Sequence, residues 1–205
     1  NQINPHFLFN CFNVLSTLVY RDADTSAKFI GQLSTVYRYL LQNQEKNVVR
    51  LSDEVNFIEA YLYLLKIRFQ ENIAVEINID AATKNFYVAP GVLQMLIENA
   101  IKHNVVASKK PLRIKIYTNN REIAVTNNLQ EKEVKEQSTQ VGLNNIHRRY
   151  RFLTDREISI EKTDNSFTVK IPLLQVEACE PRATAQRHDI CPPLEERSMA
   201  GNIPA

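Results

Sequence analysis

Two short stretches of the sequence combine residue types that could carry chemistry. The first, QINPHFLFN, places His6 between a proline and three apolar residues, although a core helix gains nothing from an imidazole that needs a polar partner. A neutral imidazole near pH 7 can attack a phosphoryl group without first losing a proton from the attacking nitrogen. His6 is therefore either exposed for chemistry or satisfied locally, for example by capping its own helix.

The second stretch, PGVLQMLIENAIKHN, starts at Pro90. Residues three and four apart share a helix face, which makes neighbours of its polar residues Glu98, Asn99, Lys102 and His103. The Asn99 amide oxygen suits Mg²⁺, the Lys102 ammonium suits phosphate, and the Glu98 carboxylate can bind water or accept a proton. This group predicts a Mg-nucleotide site with Asn99 as the metal ligand. The alternative is the solvated face of an amphipathic helix.

The composition fits a cytosolic protein with a real core. The chain has 205 residues, 44% of them hydrophobic, enough for one large domain or two small ones. Its 25 basic and 23 acidic residues are well mixed, so no direct nucleic-acid partner is indicated. Three cysteines without a CxxC pair predict neither a zinc site nor a disulfide framework. No apolar run approaches the ~20 residues that span a bilayer.

The first elements expected are two amphipathic helices. Apolar residues recur at helical spacing from Pro5 to about Tyr20 and from Phe29 to about Gln44, with a break at 22–25. The two helices form a hairpin whose apolar stripes need a partner: the next helix, the following domain or a second copy of the chain. The chain starts abruptly without Met, which predicts a segment of a longer protein, with any membrane anchor upstream.

A third helix is expected in VVRLSDEVNFIEAYLYLLKIRF. Ser52 is placed to cap it, and Asp53 and Glu54 fall in its first turn, where the helix dipole favours anions. Its end near Phe69 predicts a domain boundary. The three helices then form one region, residues 1–70.

The pattern changes to strands after residue 72. Apolar residues alternate from Ile73 to Ile79, and LRIKIYTNNREIAVTN and EISIEKTDNSFTVKIPL each read as two strands about a turn. Helices are expected from Pro90 to about Val106 and in GLNNIHRRYRFLT. The expected fold class is α+β, with helices on one face of a mixed sheet over residues 72–176. Residues 177–205, rich in proline and without apolar periodicity, predict a disordered tail.

Three motifs together carry a family resemblance. INPHFLFN, LSDEVNFIEAYLYLLKIRF and LQMLIENAIKHN, in this order and spacing, resemble the LytS-type sensor histidine kinases of bacterial two-component systems. The resemblance covers residues 1–176 and implies a helical dimerisation region followed by a GHKL (Bergerat-type) ATP-binding α/β sandwich. It implies that His6 is the phosphoacceptor, that Asn99 ligates Mg²⁺ and that Lys102 contacts phosphate. Glu98 and His103 belong to the same motif.

The nucleotide loops depart from the family pattern. The adenine box normally reads Asp-x-Gly-x-Gly, whereas here Asn127 replaces the aspartate and no glycine follows, so weakened affinity is expected. The second glycine box has Gln140 at its first position and keeps Gly142, Leu143 and Asn145. Gly142 at a helix start is the expected phosphate contact.

Two further features stay open. His147, Arg148 and Arg149 either include a phosphate contact or form an exposed basic face. Residues 129–140 are polar and aperiodic, as expected of a mobile lid over nucleotide and equally of any surface loop.

The resemblance implies a protein-histidine kinase that moves phosphate from Mg-ATP to a histidine and then to a response-regulator aspartate. It further implies a homodimer, a regulator of the LytTR type, and the cytoplasmic portion of a bacterial inner-membrane sensor. The alternative is a weak or inactive signalling scaffold that dimerises and docks a regulator. A chaperone- or gyrase-type GHKL ATPase lacks the helix that carries His6.

Overall fold

The N-terminal part of the chain folds into a helical hairpin followed by a third helix. The computed structural model describes residues 5–132 and 141–175. The three helices are α1 Pro5–Leu18, α2 Ala23–Gln42 and α3 Leu51–Phe69. Asp22 ends the short turn after α1 and caps α2, since its Oδ1 accepts a hydrogen bond from the Thr25 N–H at 2.9 Å.

The start of α3 differs from the prediction. Arg50, not Ser52, is the N-cap residue, and it makes no side-chain capping bond. The N–H groups of Leu51 and Ser52 donate instead to the main-chain carbonyls of Phe86 and Lys84, at 2.7 and 3.2 Å. Because these carbonyls satisfy donors at the helix start, α3 begins without the side-chain cap that the sequence suggested.

The second half of the chain is a mixed sheet with two helices. The strands are β1 Val49–Arg50, β2 Ile73–Asn78, β3 Tyr87–Val88, β4 Leu112–Asn119, β5 Glu122–Asn128, β6 Ser159–Lys162 and β7 Ser166–Pro172, and the helices are α4 Val92–His103 and α5 Val141–Leu153. β1 pairs with β3, and the other five strands lie in the order β2-β4-β5-β7-β6. β2 and β4 are parallel, and the other neighbouring strands are antiparallel. The predicted α+β fold class is confirmed.

The hairpin of β4 and β5 shows why the alternation of apolar residues in the sequence predicted these strands. Leu112, Ile114 and Ile116 alternate with exposed residues and are at most 1% exposed. Asn120 occupies the turn with a φ of 55°, a left-handed conformation that asparagine tolerates better than most residues.

The helices and the sheet share one hydrophobic core. Phe7 of α1, Phe57 of α3, Leu93 of α4 and Ile116 of β4 belong to the same buried cluster. The described residues up to Gln175 lie in one compact unit. The predicted boundary between residues 70 and 72 falls at the end of α3 and stays a prediction, and the predicted tail lies outside the described residues.

Replacing Tyr37 with phenylalanine is expected to raise the free energy of unfolding by about 1 kcal/mol. Within the described part of the chain, the Tyr37 hydroxyl is buried without a hydrogen-bond partner, so its removal relieves an uncompensated desolvation. Urea denaturation measures the change. Tyr20→Phe is the control, because Tyr20 is 92% exposed and its hydroxyl stays in water. A Tyr37→Phe midpoint at or below that of the unaltered protein would contradict the expectation.

Candidate functional site

A buried carboxylate fixes the start of α4. Glu54 of α3 is fully buried, and it accepts hydrogen bonds from the main-chain N–H groups of Gly91 and Leu93, at 2.9 and 3.0 Å, and from the Tyr39 hydroxyl. Gly91, the N-cap of α4, has a φ of 73°, which favours glycine. Burial raises the pKa of the Glu54 carboxyl, whereas the three hydrogen bonds act in the opposite direction. Glu54 thus serves the N-terminus of α4 rather than only the dipole of its own helix.

α5 holds the same loop from another side. The Arg149 guanidinium donates to the Pro90 carbonyl at 3.1 Å, and the Ala89 N–H donates to the Tyr150 hydroxyl at 3.3 Å. Arg149 therefore holds the loop that leads into α4. Residues 89–91 are fixed from α2, α3 and α5 together.

The polar motif of α4 is partly buried. The Glu98 Oε1 atom accepts hydrogen bonds from the Tyr61 hydroxyl at 3.2 Å and from the Gln94 side-chain amide at 2.9 Å. Asn99 beside it is half-buried, and Lys102 is exposed. A carboxylate held by two donors does not fit the alternative of a merely solvated helix face.

The end of α4 is tied to the residues that follow β5. The Asn104 side chain donates to the Ala100 carbonyl at 2.9 Å and accepts from the Gln130 N–H at 2.8 Å. The His103 carbonyl accepts from the Lys132 N–H at 3.3 Å. The motif helix is thereby fixed at both ends.

Asn127 lies in β5, a strand that contacts α4. It is 4% exposed and stands in register with Ile114 of β4 and Phe167 of β7. Its amide nitrogen donates to the Asn128 carbonyl at 2.8 Å. With the nitrogen engaged in this way, the amide oxygen is the side-chain atom suited to accept from a ligand.

The remnants of the second glycine box lie on α5, which also contacts α4. Gly142 is exposed, and a Cβ built on it would meet no atom within 4 Å, so the fold itself does not require glycine there. Leu143 is half-buried. Asn145 is exposed and lines an open cavity together with Asn144, His147, Arg148 and Arg151. Gln140 lies outside the described residues.

His6 lies in the first turn of α1 with its side chain exposed. The Asn10 amide nitrogen, one helical turn later, is 3.2 Å from its Nδ1 atom. The next residue, Phe7, is 7% exposed and packs against the ring of Tyr61, with 5.1 Å between the ring centroids. His6 thus stays accessible on a helix that its neighbour anchors to the core.

The metal-binding capacity of the site rests on oxygen ligands. In residues 5–132 and 141–175 no three histidine, cysteine, aspartate or glutamate side chains converge as a metal site. Asn99 offers one amide oxygen, and Mg²⁺ held by one or two protein ligands takes its others from water and phosphate. The residues therefore fit a metal that binds together with a nucleotide.

Three residues of this arrangement were missed in the sequence. Gln94 could have been found, because it stands four residues before Glu98 on the same helix face. Tyr61 and Glu54 reach α4 across 37 or more positions of sequence, and no local pattern marks such a contact.

Comparisons with known proteins agree with the motifs. Residues 1–73 match the family model described as histidine kinase. The sensor protein LytS of Staphylococcus haemolyticus is 41% identical over 102 residues, which cover 50% of this chain and 18% of that protein. LytS of Bacillus subtilis is also 41% identical over 102 residues, covering 50% of this chain and 17% of that protein. The chain thus corresponds to less than a fifth of the length of these relatives.

The described residues include no helix with the length and apolarity needed to cross a bilayer. Among solved structures, the Acinetobacter baumannii histidine kinase AdeS is 18% identical with a TM-score of 0.43, over 77% of this chain and 83% of that one. We draw nothing from this weak likeness.

The part of the chain that carries His6, residues 1–73, is similar to the histidine kinase family. The relatives that the chain matches are sensor proteins of the LytS type, and the resemblance predicted from the motifs is confirmed.

Proposed function

We propose that the chain is the kinase portion of a two-component sensor, in which His6 accepts a phosphoryl group from Mg-ATP and passes it to an aspartate of a response regulator. The observation that carries the proposal is the Glu98 carboxylate, held by Tyr61 and Gln94 next to the half-buried Asn99. A fixed, partly buried pair of oxygen-bearing side chains of this kind suits a positioned metal nucleotide. The exposed imidazole of His6 supports the same reading.

Each residue of the α4 motif has a role in the proposal. Asn99 ligates Mg²⁺, Lys102 neutralises phosphate charge, and Glu98 binds water or accepts the proton that the His6 imidazole releases. His103 borders the nucleotide at the tethered end of α4. The nucleotide supplies the phosphoryl group when it is bound, and the protein contributes position and charge.

The strand and the last helix complete the nucleotide site. Asn127 accepts from the adenine amino group through its amide oxygen, a weaker bond than the usual aspartate would make. Gly142 lets the backbone at the start of α5 approach phosphate, and Leu143 and Asn145 line that approach. His147 and Arg148 line the open cavity with Asn145, where they either attract phosphate or form an exposed basic face.

The helical hairpin of α1 and α2 exposes large apolar side chains that could contact a second copy of the chain. Phe9 and Phe12 of α1 are 67% and 51% exposed, and Ile30 of α2 is 50% exposed. Large apolar residues in this arrangement support a homodimer formed through α1 and α2.

We propose a LytTR-type response regulator as the phosphate acceptor, and a place for this chain in the cytoplasmic portion of an inner-membrane sensor.

Replacing Asn99 with alanine is expected to weaken Mg-ATP binding by about tenfold or more, because the metal loses its proposed protein oxygen ligand. Isothermal titration calorimetry measures the binding. Asn127→Ala, which removes the proposed adenine acceptor, is expected to weaken it as well. Asn119→Ala is the control, since Asn119 is an exposed asparagine at the far end of β4.

Saturable binding that survives in Asn119→Ala and is lost in Asn99→Ala supports the kinase. No binding at millimolar ATP by a folded, unaltered chain would overturn the proposal and favour the scaffold instead. The altered adenine and glycine boxes are the observation in favour of that second candidate.

A further inference from the structure

Tyr61 of α3 makes a hydrogen bond to Glu98, and the proposed function assigns Tyr61 itself no part in phosphoryl transfer. Its side chain is 1% exposed, and its hydroxyl donates to Oε1 of Glu98 at 3.2 Å. Gln94 donates to the same oxygen at 2.9 Å. Two donors on one oxygen fix the rotation of the carboxylate and turn its other oxygen in a defined direction.

The ring of Tyr61 makes a second contact. It packs against Phe7, with the ring centroids 5.1 Å apart and an angle of 37° between the planes. Phe7 directly follows His6 in α1. One buried side chain therefore contacts both the carboxylate of the α4 motif and the helix turn that carries the histidine.

The protonation state of Tyr61 suits a permanent donor. Burial raises its pKa well above the ordinary value, and the nearby Glu98 carboxylate raises it further. Arg68 opposes these effects, and Cys11 adds to them. The hydroxyl accordingly keeps its proton throughout the physiological range.

We propose that Tyr61 is a positioning residue for phosphoryl transfer: its hydroxyl orients the Glu98 carboxylate while its ring fixes the turn that carries His6. The inference rests on the proposed function, since Glu98 is the group through which Tyr61 acts. Its content goes further, because it assigns a role to a residue of α3, outside the motif of α4 and the helix of His6.

Tyr61→Phe tests the inference with little disturbance, because phenylalanine keeps the ring contact with Phe7 and removes only the hydroxyl. The rate of autophosphorylation at saturating Mg-ATP is expected to fall about tenfold, with the KM for ATP changed less than about twofold. Loss of a bond that orients the Glu98 carboxylate for the transfer step lowers the rate rather than the affinity for ATP. The matched control is Tyr37→Phe, which removes a buried hydroxyl that has no hydrogen-bond partner among the described residues.

A double-mutant cycle separates positioning from general destabilisation. In a Glu98→Gln background, Tyr61→Phe is expected to lower the rate by less than about twofold, because the oriented carboxylate is already absent. An equal fall in both backgrounds would overturn the inference, as would an unchanged rate in Tyr61→Phe. If the unaltered chain binds no Mg-ATP and takes up no phosphate, the proposed function fails, and this inference fails with it. If the unaltered chain is active and Tyr61→Phe has the same rate, only this inference is overturned and the proposed function stands.

Discussion

Replacing His6 with glutamine is expected to lower phosphate incorporation from ATP more than about a hundredfold, while Mg-ATP binding stays unchanged. Glutamine keeps the polarity and approximate length of the side chain but has no nucleophilic nitrogen. His6 lies in the first turn of α1 with its side chain exposed, so it is not one of the buried residues of that helix. Labelling with γ-phosphate-labelled ATP, followed by acid and alkali treatment, measures the amount and the chemical type of the phosphorylated residue.

Ser16→Ala is the control for this substitution. Ser16 is an exposed hydroxyl on the same helix, and its removal excludes serine as the acceptor there without touching the imidazole. Phosphate in this variant should remain acid-labile and stable to alkali, as expected of phosphohistidine. Incorporation that persists in His6→Gln would remove His6 from the mechanism, even if nucleotide binding is normal.

Replacing Glu54 with alanine is expected to lower the free energy of unfolding by about 4 kcal/mol. The substitution leaves the Tyr39 hydroxyl and the N–H groups of Gly91 and Leu93 without their acceptor inside the core. It also opens a cavity at the start of α4. Urea denaturation followed by circular dichroism measures the effect.

Two further variants sharpen this test. Glu54→Gln keeps the volume but places an NH2 group where one accepting oxygen stood, so about half of the loss is expected. Glu59→Ala, an exposed glutamate on the same helix, should change the free energy of unfolding by less than about 0.5 kcal/mol. Equal effects of Glu54→Ala and Glu59→Ala would mean that the buried carboxylate contributes nothing special to stability.

Much of the fold could be predicted from local patterns. Apolar periodicities of 3.6 and 2 are properties of short windows, and they located the hairpin helices and the β4–β5 pair. Helix starts were less predictable. Ser52 is a residue type that often caps helices. Here the carbonyls of Phe86 and Lys84, brought close by the β1–β3 pair, accept from the N–H groups of Leu51 and Ser52, and the helix starts one residue before Ser52. Cap prediction from the sequence considers only residues close to the helix start along the chain, so it cannot include these carbonyls.

The candidate site also has features that the sequence predicts and features that only the packing of the helices determines. The grouping of Glu98, Asn99 and Lys102 follows from helix geometry alone. The burial of Glu98 and its bond to Tyr61 depend on how α3 packs against α4, which no spacing within either helix determines. The roles of the predicted site residues stay predictions until nucleotide binding and phosphate transfer are measured.

The parallel pairing of β2 and β4 has a consequence for the order of folding. Parallel neighbours need a crossover, and here α4 lies within it, so the helix that carries the motif is enclosed by a long-range closure. Closure of such a loop costs chain entropy before its contacts compensate, which makes it a slow step. A nucleotide bound to α4 would stabilise this late-forming part of the molecule by mass action. Occupancy of the site and the free energy of unfolding are then linked, and each rises with the other.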